Sequence, residues 1–143
     1  MTTKLGNLVL DRWIDGDGDG NVLTSAVSGN PVASITSDGL DFGAIIEHAR
    51  RVGGANLRKL TFHERGEMLK ALAKFLTEHK QELYALSTET GATKADSWID
   101  IDGGISTLFV FSSKGRREMP NDHVYLDGPP EALSRNGTFI GQH

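Results

Sequence analysis

Three carboxylates stand on alternate positions in Asp15-Gly16-Asp17-Gly18-Asp19-Gly20, and the run closes on glycine. That is the opening of a calcium loop, which places oxygen ligands at its first, third and fifth positions and glycine at its sixth. The twelfth position must then supply a bidentate glutamate, with helices on either side. Counted from Asp15 that position is Ala26, and the flanks read as strands. The expected role is a solvated hairpin tip whose acids keep the strand edges apart. The histidines His48, His63, His79, His123 and His143 lack metal-ligand spacing, so solvated or helix-surface roles are expected for them. No cysteine is present. A thiolate metal site, a disulfide frame and a thiol nucleophile are thereby excluded from this sequence.

Other candidate chemistry is equally thin. Gly103-Gly104-Ile105 lacks the order of a dinucleotide fingerprint and reads as a site of close helix packing. No G-x-S-x-G elbow occurs to activate a serine. Asp100 and Asp102 form a conceivable acid/base pair, but two residues apart on a helix they point away from each other. Catalytic, cofactor-binding and metal-binding residues are therefore each expected to be none.

The elements that would carry such groups follow from apolar spacing. Short β-rich runs, Leu8-Val9-Leu10, Trp13-Ile14, Val22-Leu23 and Val32 to Ile35, are separated by turn formers and predict a β-hairpin region over 1–37. Phe42, Ile45, Ile46 and Ala49 mark the buried stripe of a helix that Gly53-Gly54 is expected to end. Thr61-Phe62-His63-Glu64 has the capping-box form, and the stripe Met68, Leu69, Leu72, Phe75, Leu76, Leu83, Leu86 carries a second helix to Gly91. A third is expected from about Lys94 to Arg117. The helical region is thus 38–118, and 119–143 reads as a loop ending in the edge strand Thr138-Phe139-Ile140.

With 143 residues the chain is the size of one domain. A net charge of -4, from scattered acids and bases, argues against a nucleic-acid partner. The apolar patch in "MTTKLGNLVLDRW" is too short for a signal core or a membrane span, so no membrane association and a cytoplasmic location are expected.

One region carries more than composition. "LSTETGATKADSWIDIDGGISTLFVFSSKGRREMPND", Leu86 to Asp122, resembles the N-terminal part of the aldehyde dehydrogenase superfamily, and within it the branch of aerobic coenzyme A pathways for phenylacetate and related aromatic acids. "ADSWIDIDGG" is the segment most particular to that branch. Upstream, "TFHERGEMLKALAKFLTEHKQELYALS" is similar to the family's paired helices, which lead into its turn at Glu89-Thr90-Gly91-Ala92-Thr93, and the match runs from about Leu8 to His143.

The resemblance implies an α/β parent fold with a Rossmann-like cofactor domain, present here only as its N-terminal part: a β-hairpin, about three helices and one C-terminal edge strand. It implies NAD(P)-dependent oxidation of an aldehyde, a coenzyme A-linked semialdehyde in that branch, by an attacking cysteine, an oxyanion hole, hydride transfer to nicotinamide and a glutamate that activates water. Those groups are expected to lie beyond His143, so NAD or NADP belongs to the parent enzyme and neither is expected to bind this chain alone. Glu89 corresponds to a turn acid that helps hold a monovalent cation in related enzymes, though a solvated helix-end acid is the favoured reading. The expected partners are the remainder of the dehydrogenase subunit and, in the parent, a homo-oligomer. A stand-alone interaction module derived from the dehydrogenase N-terminus is the alternative.

Overall fold

The computed structural model describes Thr3 to Gln142. Its first part holds two small sheets rather than one hairpin. β1 (Thr3–Leu5) pairs in parallel with β5 (Pro31–Ile35), and β4 (Asn21–Thr24) pairs antiparallel with the same strand. β2 (Asn7–Val9) and β3 (Arg12–Ile14) form a separate antiparallel pair. Its turn residues Leu10 and Asp11 both take positive φ, 55° and 59°. That matches the twist a two-residue hairpin requires, and it strains side chains other than glycine.

The run Asp15 to Gly20 therefore joins the two sheets, since β3 and β4 have different partners; it is not a hairpin tip. Gly20 takes φ +73° there, and a Cβ on it would run into the Ile35 carbonyl. Glycine is required on both counts. Lys4 fills the loop, its ammonium donating to the carbonyls of Gly16 and Gly18 at 2.6 Å each.

The helices follow. α1 (Phe42–His48) is capped by Asp41, whose carboxylate accepts from the Ala44 amide at 2.9 Å. The expected stop at Gly53-Gly54 is absent, because a π-helical turn, Ala49–Gly53, runs directly into α2 (Gly54–Arg58) with Gly54 at φ -63°. Glycine permits the left-handed stop without imposing it. The long helix expected from Thr61 to Gly91 is two helices, α3 (Phe62–Glu78) and α4 (Lys80–Glu89), broken at His79, whose φ and ψ of -99° and 6° are non-helical. α5 (Lys94–Glu118) spans the whole third prediction, with Gly103-Gly104 inside it.

Both long helices begin with complete capping boxes, Thr61 with Glu64 and Thr93 with Asp96, so two otherwise unpaired amides are satisfied at each start. α3 packs on α5 where Gly66 meets the Ser112 backbone. A Cβ on Gly66 would lie 3.0 Å from the Ser112 carbonyl oxygen. Among the described residues the buried apolar side chains are Ala33, Ala73 and Ile105. The core is correspondingly thin.

Residues 126–134, expected to be loop, form β6 (Leu126–Ser134), which pairs antiparallel with β7 (Gly137–Gln142). The register jumps from Asp127 opposite Gly141 to Glu131 opposite Phe139, so Gly128, Pro129 and Pro130 bulge out of the ladder, where the prolines' lack of an N–H donor does no harm. The single terminal edge strand is therefore the second arm of a hairpin.

Candidate functional site

The most polar constellation lies between α4 and α5. Lys80 and Tyr84 stand four residues apart, one turn along the same face of α4, and both reach Asp102 across the helix pair. Lys80 Nζ donates to Asp102 Oδ1 at 2.9 Å, and the Tyr84 hydroxyl donates to Asp102 Oδ2. Nearby, Ser87 Oγ and Ser97 Oγ are 2.9 Å apart, with Ser97 buried. Lys80, Tyr84 and Ser97 line an open cleft of about 620 Å³, edged also by Gln81, Thr88 and Lys94.

The electrostatics fix the protonation states. Hydrogen bonds from Lys80 first and Tyr84 second hold the Asp102 carboxyl below its ordinary value. The same bond, with smaller help from desolvation and the carboxylate charge, raises the Tyr84 phenol. At neutral pH Asp102 is an anion with both oxygens engaged, and Tyr84 keeps its proton. Neither group is tuned as a general acid or base, which needs a pKa near the working pH. The cluster is a polar brace between two helices.

The residues flagged by sequence are dispersed. Asp100 is exposed and Asp102 turns to α4, so the two carboxylates do not meet. The side chain of Glu89 is exposed, while its backbone carbonyl accepts the Ala26 amide at 2.8 Å and ties the end of α4 to the strand region. An added Cβ at Gly103 or Gly104 would meet nothing within 4 Å. Close helix packing is therefore not the reason for that pair, and Gly66 is the glycine that packing requires.

Two histidines depart from the expected surface roles. His48 is half-buried, with Nε2 3.1 Å from Asp11 Oδ2 but poorly aligned for a hydrogen bond. His63 Nε2 lies 2.9 Å from the Met119 carbonyl, joining the start of α3 to the end of α5. His79 stays at the helix surface, paired with Glu82 and tilted against Phe75 with ring centroids 4.4 Å apart. His123 is exposed, and His143 lies outside the described residues. Among the described residues no three His, Asp or Glu side chains group as a metal site. Among the described residues no helix is long and apolar enough to cross a membrane.

Sequence reasoning missed the tie between Lys80, Tyr84 and Asp102. The spacing of Lys80 and Tyr84 marks a shared face, but nothing along the chain says that a residue 22 positions on will oppose it.

Fold and site together define a strand-and-helix scaffold whose polar groups brace its own elements. The aldehyde dehydrogenase family model matches residues 13–135. Over 141 residues the chain is 37% identical to a 3,4-dehydroadipyl-CoA semialdehyde dehydrogenase of Aromatoleum evansii, an alignment that covers 98% of this chain and 27% of that protein. The chain belongs to the aldehyde dehydrogenase family. It spans about a quarter of the length of this curated relative.

Proposed function

We propose that these 143 residues are the scaffold and assembly part of an NAD(P)-dependent aldehyde dehydrogenase that oxidises a coenzyme A-linked semialdehyde to the acid in aromatic-acid degradation. The substrate class follows the named activity of the relative, 3,4-dehydroadipyl-CoA semialdehyde dehydrogenase. On this reading the nucleophile, the cofactor site and the water-activating base belong to the remainder of the subunit, and the whole enzyme is a cytoplasmic homo-oligomer. A sequence without cysteine has no thiol to attack an aldehyde, which supports the division of labour.

The observation that carries the proposal is an uncovered apolar surface. Phe75 on α3, Trp98, Ile99 and Phe111 on α5, and Leu8 and Trp13 on the β2–β3 pair are all more than half exposed. Apolar area on this scale marks a face that another part of a protein covers. The β6–β7 hairpin, exposed all along β6, is the element we assign to the subunit contact.

The test is an assay of the purified chain with NAD and NADP against a panel of aldehydes and acyl-CoA semialdehydes. No reduced nicotinamide above buffer is the expected result; steady turnover would overturn the assignment. A second reading, an independent interaction module, is favoured by the complete caps on α3 and α5, which stabilise those helices without outside help. A monodisperse monomer with a cooperative thermal transition would support that module over the scaffold.

A further inference from the structure

We infer that Asn136 is a site of spontaneous covalent modification, at which the backbone nitrogen of Gly137 attacks the side-chain amide carbon of Asn136. The new bond joins Gly137 N to Asn136 Cγ, the bond from Cγ to the amide nitrogen breaks, and ammonia leaves carrying the Gly137 amide proton. Water then opens the succinimide at one of its two carbonyls, leaving aspartate or isoaspartate. The net change is loss of ammonia and gain of water, with no oxidant or reductant.

Three features of this position favour the step. Asn136 and Arg135 form the exposed turn between β6 and β7, and the Asn136 side-chain amide has no hydrogen-bond partner among the described residues. Gly137 carries no side chain to shield its nitrogen. The other asparagines, Asn7, Asn21, Asn30, Asn56 and Asn121, are followed by Leu8, Val22, Pro31, Leu57 and Asp122, four of which crowd the attacking nitrogen while Pro31 has no N–H to lose.

The gate on the reaction is the turn itself. Gly137 is paired with Ser134, and the backbone N–H of Asn136 donates to Ser134 Oγ at 3.3 Å, so the Gly137 nitrogen is free to attack only when the turn opens. A lone two-stranded hairpin is marginal in water, so it opens often. The isoaspartate product adds a charge and one more backbone atom to a two-residue turn. This chemistry is independent of the hairpin's proposed role in assembly, and peptide mapping reads it without any assembly or activity measurement.

The experiment incubates the full chain at mildly alkaline pH, where the backbone amide loses its proton more readily, then cleaves it with a glutamate-specific protease. The peptide that begins at Ala132, after the cut at Glu131, should split into two isomers of amide-to-acid mass, one of them a substrate for isoaspartyl methyltransferase. Asn136→Gln should abolish both products, and Gly137→Ala should slow their appearance severalfold, its Cβ meeting only the rotatable Ser134 hydroxyl at 3.1 Å. An unchanged peptide, or conversion at another asparagine instead, would overturn the inference.

Discussion

Asp102 and Asp96 carry the acid sensitivity of the helical region. Both carboxyls are held below their ordinary value of 3.8, Asp102 by Lys80 and Tyr84 and Asp96 by the Thr93 hydroxyl and amide. A carboxyl depressed in the folded state adds stability that is present above its unfolded pKa and lost as pH falls through the folded one. The loss should therefore begin near pH 3.8 and deepen below it. Tyr84 works in the opposite direction. Its raised phenol adds stability that is intact below the ordinary value of 10.0 and lost as pH climbs through the folded one. Thermal melts across pH should show Asp102→Asn with a flatter acid limb than the parent chain, and Tyr84→Phe with a flatter alkaline one. Parallel curves for variant and parent would remove the brace from the account. The caps give a second test, since Thr61→Ala and Thr93→Ala each lose a side-chain bond to a first-turn amide and should cost about 1 kcal/mol.

Glycine separates what packing needs from what it tolerates at the level of helices. Gly103 and Gly104 sit in open space on α5, so Gly103→Ala should stabilise the chain by up to about 1 kcal/mol through helix propensity. Gly66→Ala should do the reverse, because its Cβ would press on the Ser112 carbonyl and force α3 away from α5, at a cost of about 1–3 kcal/mol. Denaturant midpoints for the two variants should move in opposite directions; equal shifts would mean that Gly66 does not set the approach of α3 to α5. The same residues show how much of the fold was legible. Periodicity and the two capping boxes place α3 and α5 from the sequence, because both are local signals. The break at His79 was not legible in the apolar stripe, which runs on past it, although the resemblance to paired helices implied two helices there; the π-helical continuation through Gly53-Gly54 was not legible, because glycine permits a helix stop without imposing it. Asp127-Gly128-Pro129-Pro130 reads as loop, and only the pairing of β6 with β7 turns those prolines into a bulge. The brace at Asp102 needed two helices in register before its parts could meet.

The molecule as a whole exposes 10611 Å² of accessible surface. A compact monomer of 15.5 kDa exposes about 7,200 Å², so this chain leaves roughly 3,400 Å² more in contact with water. That excess is about twice the area a standard protein–protein interface removes. The extended β6–β7 hairpin contributes part of it, and the aromatic faces of α3 and α5 contribute another part. Hydrophobic stabilisation scales with apolar area removed from water, so a chain whose buried apolar side chains are Ala33, Ala73 and Ile105 among the described residues has little of it in isolation. Two consequences follow for the purified protein. It should bind a hydrophobic reporter dye at neutral pH and ambient temperature, and its urea m-value should fall below that of compact domains of equal length, because unfolding uncovers less new surface. If the dye stays dark and the m-value is ordinary, the exposed faces are closing on each other in solution. The chain would then be folding as a unit in its own right, and the uncovered apolar surface would no longer support a scaffold role.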